Sequence, residues 1–359
     1  MISNSGTLAA PFPWFGGKSG ACQTVWQAFG LVDNYVEPFA GSAAMLLGAP
    51  DGKRVETIND ADGLVANFWR ATAMDADAVA AAADWPCNET DLFARHSWLV
   101  RQRDALLEKL HADPAFYDAQ IAGWWCWGAC NWIGSGWCSG TGPWVHDGER
   151  ILDVRQLPHL GNSGQGINRQ LPHLGNSGQG INRQLPHLSA GRGINRQLPH
   201  LGDSGRGGAH PRGAYIRDWF AALQARMRDV RVTCGDWSRV AKDSVTTRHG
   251  LTAVFLDPPY TKGAMDYSAG GVGGELARDV QAWCAANGEN KMLRIVLCGH
   301  AGEHDALLQH GWHIREWTAR KGYALTDEAV ANSASETVWC SPHCVAPVVA
   351  QNDLFAEAA

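Results

Sequence analysis

A mixed α/β sheet interrupted by an inserted module is the architecture this sequence predicts, on three observations. Apolar runs of strand length stand near both ends of the chain and close on acidic or glycine residues, as Ala253-Val254-Phe255-Leu256 does before Asp257. The stretch between these ends changes character, first to Ala- and Leu-rich segments and then to a glycine-rich repeat. At 359 residues the chain is long enough to bury a full catalytic core and a second module.

The elements follow in order. Tyr35-Val36 reads as a strand running into Glu37-Pro38-Phe39-Ala40-Gly41-Ser42, where Gly41 lets the backbone approach a ligand closely. Val55 to Asp60 is the next strand, and at its end the Asp60 carboxylate can accept both hydroxyls of a ribose. The plain alternative for Asp60 is an N-cap for a helix over 61–71. Residues 75–120, with Trp98-Leu99, Leu106-Leu107 and Leu110, read as helices. Val232-Thr233-Cys234 precedes Gly235-Asp236-Trp237 as a further strand end, and Leu293 to Cys298 is another strand. A helix over His304 to His310 follows, and Trp312 to Ala319 pairs with Glu336 to Ser341 to close the sheet.

Asp257-Pro258-Pro259-Tyr260 is the segment with the most chemistry in it. In an open α/β sheet, ligands bind at the carboxyl ends of the strands, which is where the run 253–256 delivers these four residues. An ionised Asp only accepts hydrogen bonds, and a proline offers a carbonyl without an N–H. The Asp257 carboxylate and the Pro258 carbonyl can therefore grip the two hydrogens of an exocyclic amino group. Tyr260 offers a flat face for an aromatic base. Asp-Pro-Pro also makes ordinary turns, so this segment by itself leaves a turn open.

Read with Pro13-Trp14-Phe15-Gly16-Gly17-Lys18 and the two strand ends at Gly41 and Asp60, the tetrapeptide closely resembles that of the Dam-like adenine-specific DNA methyltransferases. In these enzymes the cofactor motifs come first, target recognition second and the catalytic motif last. The resemblance covers roughly residues 11–70 and 231–341 and leaves the middle of the chain without a counterpart. It implies a Rossmann-like, seven-stranded class I methyltransferase sheet with an inserted target-recognition domain. The cofactor half would span 1–72, the insertion 73–215 with its repeats at 155–207, the catalytic half 216–344 and a tail 345–359. It also implies S-adenosylmethionine as cofactor. Trp14 and Lys18 would line its methionine end with Asp257 at the border, Gly16, Gly17, Glu37, Pro38, Phe39, Gly41 and Asp60 would also bind it, and Asp236 with Trp237 would hold its adenine, the plain alternative for Gly16-Gly17 being a loop. Asp257, Pro258, Pro259 and Tyr260 would form the catalytic motif. The expected reaction is direct methyl transfer to the amino nitrogen of an adenine flipped out of double-stranded DNA. Cytosine amino methylation uses the same geometry, and a DNA-binding protein that keeps the fold without turnover is the alternative from another class.

Charge points to DNA once it is mapped. The chain carries a formal −6, yet residues 150–231 hold 12 Arg and 4 Asp with no Lys or Glu, a local +8 that leaves −14 elsewhere. Phosphate contacts would then be confined to one module. Within it, Arg-Gln-Leu-Pro-His-Leu begins at Arg155, Arg169, Arg183 and Arg196, each followed by a glycine-rich turn. A unit of this kind has too few apolar residues for a core of its own, so neighbours stack or the array is a loose surface insertion. Before the repeats, Trp124, Trp125, Trp127, Trp132 and Trp137 crowd together. Trp132 and its neighbours can fill the gap left by an extruded base, or they are core.

No apolar run approaches the ~18 residues of a membrane helix and the first ten residues lack a signal pattern, so no membrane is expected. Ten scattered cysteines suit reduced thiols in a cytosol, and the family resemblance implies a bacterial cytosol or nucleoid and a bacterial or phage-encoded protein. Cys126, Cys130 and Cys138, and Cys340, His343 and Cys344, lack the tight pairs of a zinc site, so no metal is expected. The tail segment Gln351-Asn352-Asp353-Leu354-Phe355 resembles the sliding-clamp-binding motif of bacterial replication and repair proteins, which implies docking through Gln351, Leu354 and Phe355.

Overall fold

The computed structural model describes residues 8–14, 18–132, 137–138, 144–146, 151–153, 212–260, 273–315 and 336–346. The expectations placed on Gly16, Gly17, Arg155, Arg169, Arg183, Arg196 and the tail residues Gln351, Leu354 and Phe355 lie outside the described residues.

In chain order the described helices are α1 (Cys22–Phe29), α2 (Ala44–Leu47), α3 (Gly63–Met74), α4 (Ala76–Ala83), α5 (Glu89–Ala112), α6 (Ala119–Asn131), α7 (Arg212–Met227) and α8 (Gly273–Asn287). The strands are β1 (Asn34–Glu37), β2 (Val55–Asp60), β3 (Trp144–His146), β4 (Ile151–Asp153), β5 (Arg231–Cys234), β6 (Thr252–Leu256), β7 (Leu293–His300), β8 (His313–Arg315) and β9 (Glu336–Cys340). Short side chains start the helices. Asp62, Asp75, Asn88 and Asp118 each accept a backbone N–H in the first turn of α3, α4, α5 and α6. The helix expected over 61–71 thus begins at Gly63 under an Asp62 cap. Asp60 is not its cap.

Among the described residues, seven strands form one sheet in the order β5-β2-β1-β6-β7-β9-β8, and β3 pairs with β4 as a separate antiparallel ribbon. The first five run parallel, and β9 lies antiparallel between β7 and β8. The mixed α/β sheet and its closing antiparallel pair are therefore as the sequence predicts, with β8 covering 313–315 of the expected 312–319. The helix expected over 304–310 is a 3-10 turn at Asp305–His310.

Strand side chains alternate between two apolar layers, as the pleat demands. Ala253, Phe255, Val296, Cys298, Val338 and Cys340 face one core with α1, α3 and α7. Val254, Leu256, Ile295, Leu297 and Trp339 face the other, with Val280 and Cys284 of α8. The helices α4 and α6 pack on α3 and α7 within the first of these cores rather than forming a core of their own. Gly123 of α6 lets that helix approach α4, because a Cβ there would lie 2.4 Å from the Ala82 Cβ and 2.6 Å from the Val79 oxygen. The expected cuts at 72/73 and 215/216 fall inside α3 and α7.

Candidate functional site

The parallel strands end on one edge of the sheet, and the residues singled out from the sequence collect there. Glu37 ends β1, Asp60 ends β2, and Asp257 follows β6. Strand order reverses between β1, whose chain passes on to β2, and β6, which returns on its other side. In an open α/β sheet that is the crevice where ligands bind. The antiparallel β9 brings its first residue, Glu336, to the same edge, opposite the last residue of β7, His300.

Lys18 stands at the centre of one side of this edge. Its Nζ is 3.3 Å from Asp257 Oδ2 and 3.5 Å from Glu336 Oε1, and it lies 5.1 Å from the centroid of the Tyr260 ring. The Tyr260 hydroxyl donates to Asp257 Oδ1 at 3.0 Å, and the His300 and Tyr260 rings meet edge to face at 4.7 Å between centroids. Pro258 is buried and Pro259 half-buried. Burial works against the Lys18 charge, but the carboxylates of Asp257 and Glu336 more than offset it and raise its pKa above the ordinary lysine value. Burial pushes the Glu336 carboxyl up, with Lys18 opposing. Burial and the adjacent Asp257 charge together hold the Tyr260 phenol well above its usual range.

On the other side of the crevice, Asp60 secures the turn after β1. Its Oδ2 accepts the Gly41 N–H at 2.9 Å and its Oδ1 accepts the Asp62 N–H at 2.8 Å. Gly41 adopts φ +47°, and a Cβ there would lie 2.3 Å from Trp14 Nε1, so the turn needs glycine on two counts. The Trp69 indole donates to the Gly41 oxygen at 2.9 Å. Buried Asn59 ties three strand ends together, donating to the oxygens of Pro38 and Gly235 and accepting from the Thr233 hydroxyl. Glu37 is buried and accepts from the Tyr35 hydroxyl at 2.9 Å. Burial raises its pKa to about 8, and burial raises that of Asp60 to about 7, with Asp62 adding to the rise.

The chain matches no family model and no curated protein.

What the site can do is read from its geometry. At this edge of the sheet Lys18 is held between the carboxylates of Asp257 and Glu336, Asp60 keeps a carboxyl group at the Gly41 turn, and Glu37 lies buried with its pKa raised to about 8. Phe39 lies over Trp237 with ring centroids 6.1 Å apart and planes 28° off parallel, an apolar wall at the ends of β1 and β5.

The sequence-predicted residues thus gather in two groups, Lys18 with Asp257 and Tyr260, and Trp14 with Gly41 and Asp60. Asp236 is exposed and accepts from the backbone and hydroxyl of Ser238, capping its own 3-10 turn. Trp132, weighed as a wedge or as core, is core: it is 4% exposed and stacks on His96 at 4.7 Å with planes 6° apart. The thiols of Cys126, Cys130, Cys138, Cys340 and Cys344 are free and buried. Four residues of the site were not singled out in the sequence. Asn59 and His300 carry no local signal beyond polarity at a strand end, and Trp69 reads as an ordinary core residue of α3. Glu336 does carry one, a lone carboxylate opening the apolar strand Thr337-Val338-Trp339-Cys340.

Proposed function

We propose that this protein transfers a methyl group from S-adenosylmethionine to the exocyclic amino nitrogen of adenine in DNA. One observation carries the reading. Asp257-Pro258-Pro259-Tyr260 stands at the carboxyl end of β6, on one flank of the crevice whose other flank is the Glu37, Gly41 and Asp60 turn. A donor of a one-carbon group and an acceptor base would meet there.

The residues present suit this cofactor. It carries a sulfonium and an ammonium, and Asp257 is a carboxylate on the flank where its methionine end would lie. It carries a ribose, and Asp60 is an acceptor at a glycine turn that leaves no room for a Cβ. It carries an adenine, for which the paired rings of Phe39 and Trp237 are an apolar partner. When bound, the cofactor supplies an electrophilic methyl carbon.

The protein's own residues would do the rest. The adenine amino lone pair is conjugated into the ring and is a poor nucleophile. Hydrogen bonds from its two N–H groups to the Asp257 carboxylate and the Pro258 carbonyl favour a more tetrahedral nitrogen, and the lone pair turns toward the donor. Tyr260, whose hydroxyl is held by Asp257, presents its ring to the base. No base is needed before attack, because the amino proton can leave once nitrogen has become positive. Access to the base requires extruding it from the helix, and DNA is the partner this reading calls for. The seven-stranded sheet with its antiparallel strand set between β7 and β8 supports the same assignment.

The test is to incubate the purified protein with DNA and isotope-labelled S-adenosylmethionine, then digest and analyse nucleosides by mass spectrometry. Labelled N6-methyladenine is the expected product. Labelled N4-methylcytosine would move the assignment to the other amino base, and absence of label in either would overturn it.

A further inference from the structure

The occupant of the catalytic carboxylate is Lys18. In the proposed reaction an incoming amino group needs Asp257 as acceptor and the face of Tyr260 as a stacking surface. Lys18 Nζ stands at both, 3.3 Å from Asp257 Oδ2 and 5.1 Å from the Tyr260 ring centroid. It cannot simply retreat. Its side chain is 4% exposed, and a buried ammonium moved off its carboxylate without another partner is strongly disfavoured. Glu336 supplies that partner. Its Oε1 is already 3.5 Å from Nζ, and its position is set by the sheet, where it lies in register with His300 at the start of β9.

We infer that Glu336 is the positioning residue of this site, the second perch that draws the Lys18 ammonium off Asp257 as the amino group of the base arrives. The inference rests on the methyl-transfer reading above. The arrangement has two states of the same net charge. With no base bound, Lys18 is shared by Asp257 and Glu336. With the base in place, Lys18 belongs to Glu336 and Asp257 belongs to the amino group. No charge is created in the exchange: both states hold two carboxylates and one ammonium, and in the second the N–H groups of the base solvate Asp257 in place of the ammonium. Glu336 touches neither base nor methyl donor in this scheme, and acts through Lys18 alone.

A double-mutant cycle in steady-state methylation of duplex DNA tests this, with Glu336→Gln, Lys18→Gln and the pair together, alongside Glu336→Asp. In Glu336→Gln, Lys18 loses the Glu336 perch and stays with Asp257, and the base must compete for that carboxylate. The expected result is a fall of about tenfold or more in kcat/KM for DNA, with S-adenosylmethionine binding within about twofold of wild type. Glu336→Asp, which keeps the charge but not the reach, should fall between. In the double variant no ammonium blocks Asp257, so kcat/KM should be no lower than in Lys18→Gln.

A Glu336→Gln protein within twofold of wild type would overturn the inference and leave the methyltransferase reading standing. So would a Glu336→Gln defect that multiplies in full onto that of Lys18→Gln, because Glu336 would then act by another route. Wild-type protein that transfers no methyl group would overturn both. Thermal melting of each variant accompanies the kinetics. Should Glu336→Gln not fold, Glu336→Asp decides alone: an intermediate kcat/KM supports the perch and an unchanged one removes it.

Discussion

The Asp60 carboxylate accepts the Gly41 N–H at 2.9 Å, so the end of β2 holds the turn that follows β1. Burial, reinforced by Asp62, raises the Asp60 pKa to about 7 against the N–H bonds that favour its charge. An acceptor for ribose hydroxyls works best ionised. Cofactor binding should therefore strengthen as pH rises through about 7, with a slope approaching a factor of ~10 per pH unit below it. Tryptophan fluorescence titrations of S-adenosylmethionine between about pH 5.5 and 8.5 measure this. Asp60→Asn should bind more weakly and flatten the profile. A wild-type affinity that does not change with pH would remove Asp60 from the ligand.

Glu37 gives a stability prediction of its own. Its carboxyl is buried, and burial raises its pKa from 4.5 to about 8. The folded protein then holds a proton that the unfolded chain releases at lower pH. Its contribution to stability is fully present below pH 4.5 and is lost as pH rises to about 8. Glu37→Gln keeps the uncharged shape without that dependence. The difference in Tm between Glu37→Gln and wild type should grow in favour of the variant across this window and level off above it. A constant difference, seen in calorimetry at several pH values, would mean that Glu37 is ionised in the fold throughout.

Gly41→Ala should damage both fold and binding. The residue sits at φ +47°, where an L side chain costs roughly 1–2 kcal/mol. The new methyl would also meet Trp14 Nε1 at 2.3 Å, and relief requires moving either the indole or the turn that Asp60 and Trp69 hold. A loss of ~2 kcal/mol or more in urea denaturation is expected, together with weaker cofactor binding. Unchanged denaturation would show that the turn moves freely.

Asp257→Ala removes the acceptor and leaves Tyr260 and Lys18 without it. A loss of ~3 kcal/mol in transition-state stabilisation, more than a hundredfold in rate, is the expected scale, with the protein still folded by circular dichroism. Retention of more than a tenth of the wild-type rate would take the catalytic role away from Asp257.

For the repeats the prediction comes from sequence alone. Replacing Arg155, Arg169, Arg183 and Arg196 by Gln should weaken DNA binding and make its salt dependence shallower, with little change in preferred sequence. Fluorescence anisotropy over a range of salt concentrations measures both. An unchanged affinity and slope would make the array a passive insertion.

The strands were legible because strand character is local. The apolar runs at 253–256 and 293–298 alternate between two cores, and the glycine and acidic residues that end the strands are adjacent in sequence to the runs they terminate. The candidate motifs were legible for the same reason: Asp257, Pro258 and Tyr260 act as neighbours, and so do Gly41 and the strand before it. Helix starts were less so, because Asp60 and Asp62 both satisfy the local pattern of a cap and only the strand pairing, which uses Asp60 for Gly41, leaves the cap to Asp62. Local composition could not choose between wedge and core for Trp132 either, since that depends on where His96 of α5 comes to lie. The tertiary structure alone decided the meeting of Lys18, Asp257 and Glu336. These three come from before α1, after β6 and the start of β9, and what joins them is the reversal of strand order beside β1 and the antiparallel insertion of β9. Sheet pairing links residues far apart in the chain, and no periodicity within a segment encodes its partner.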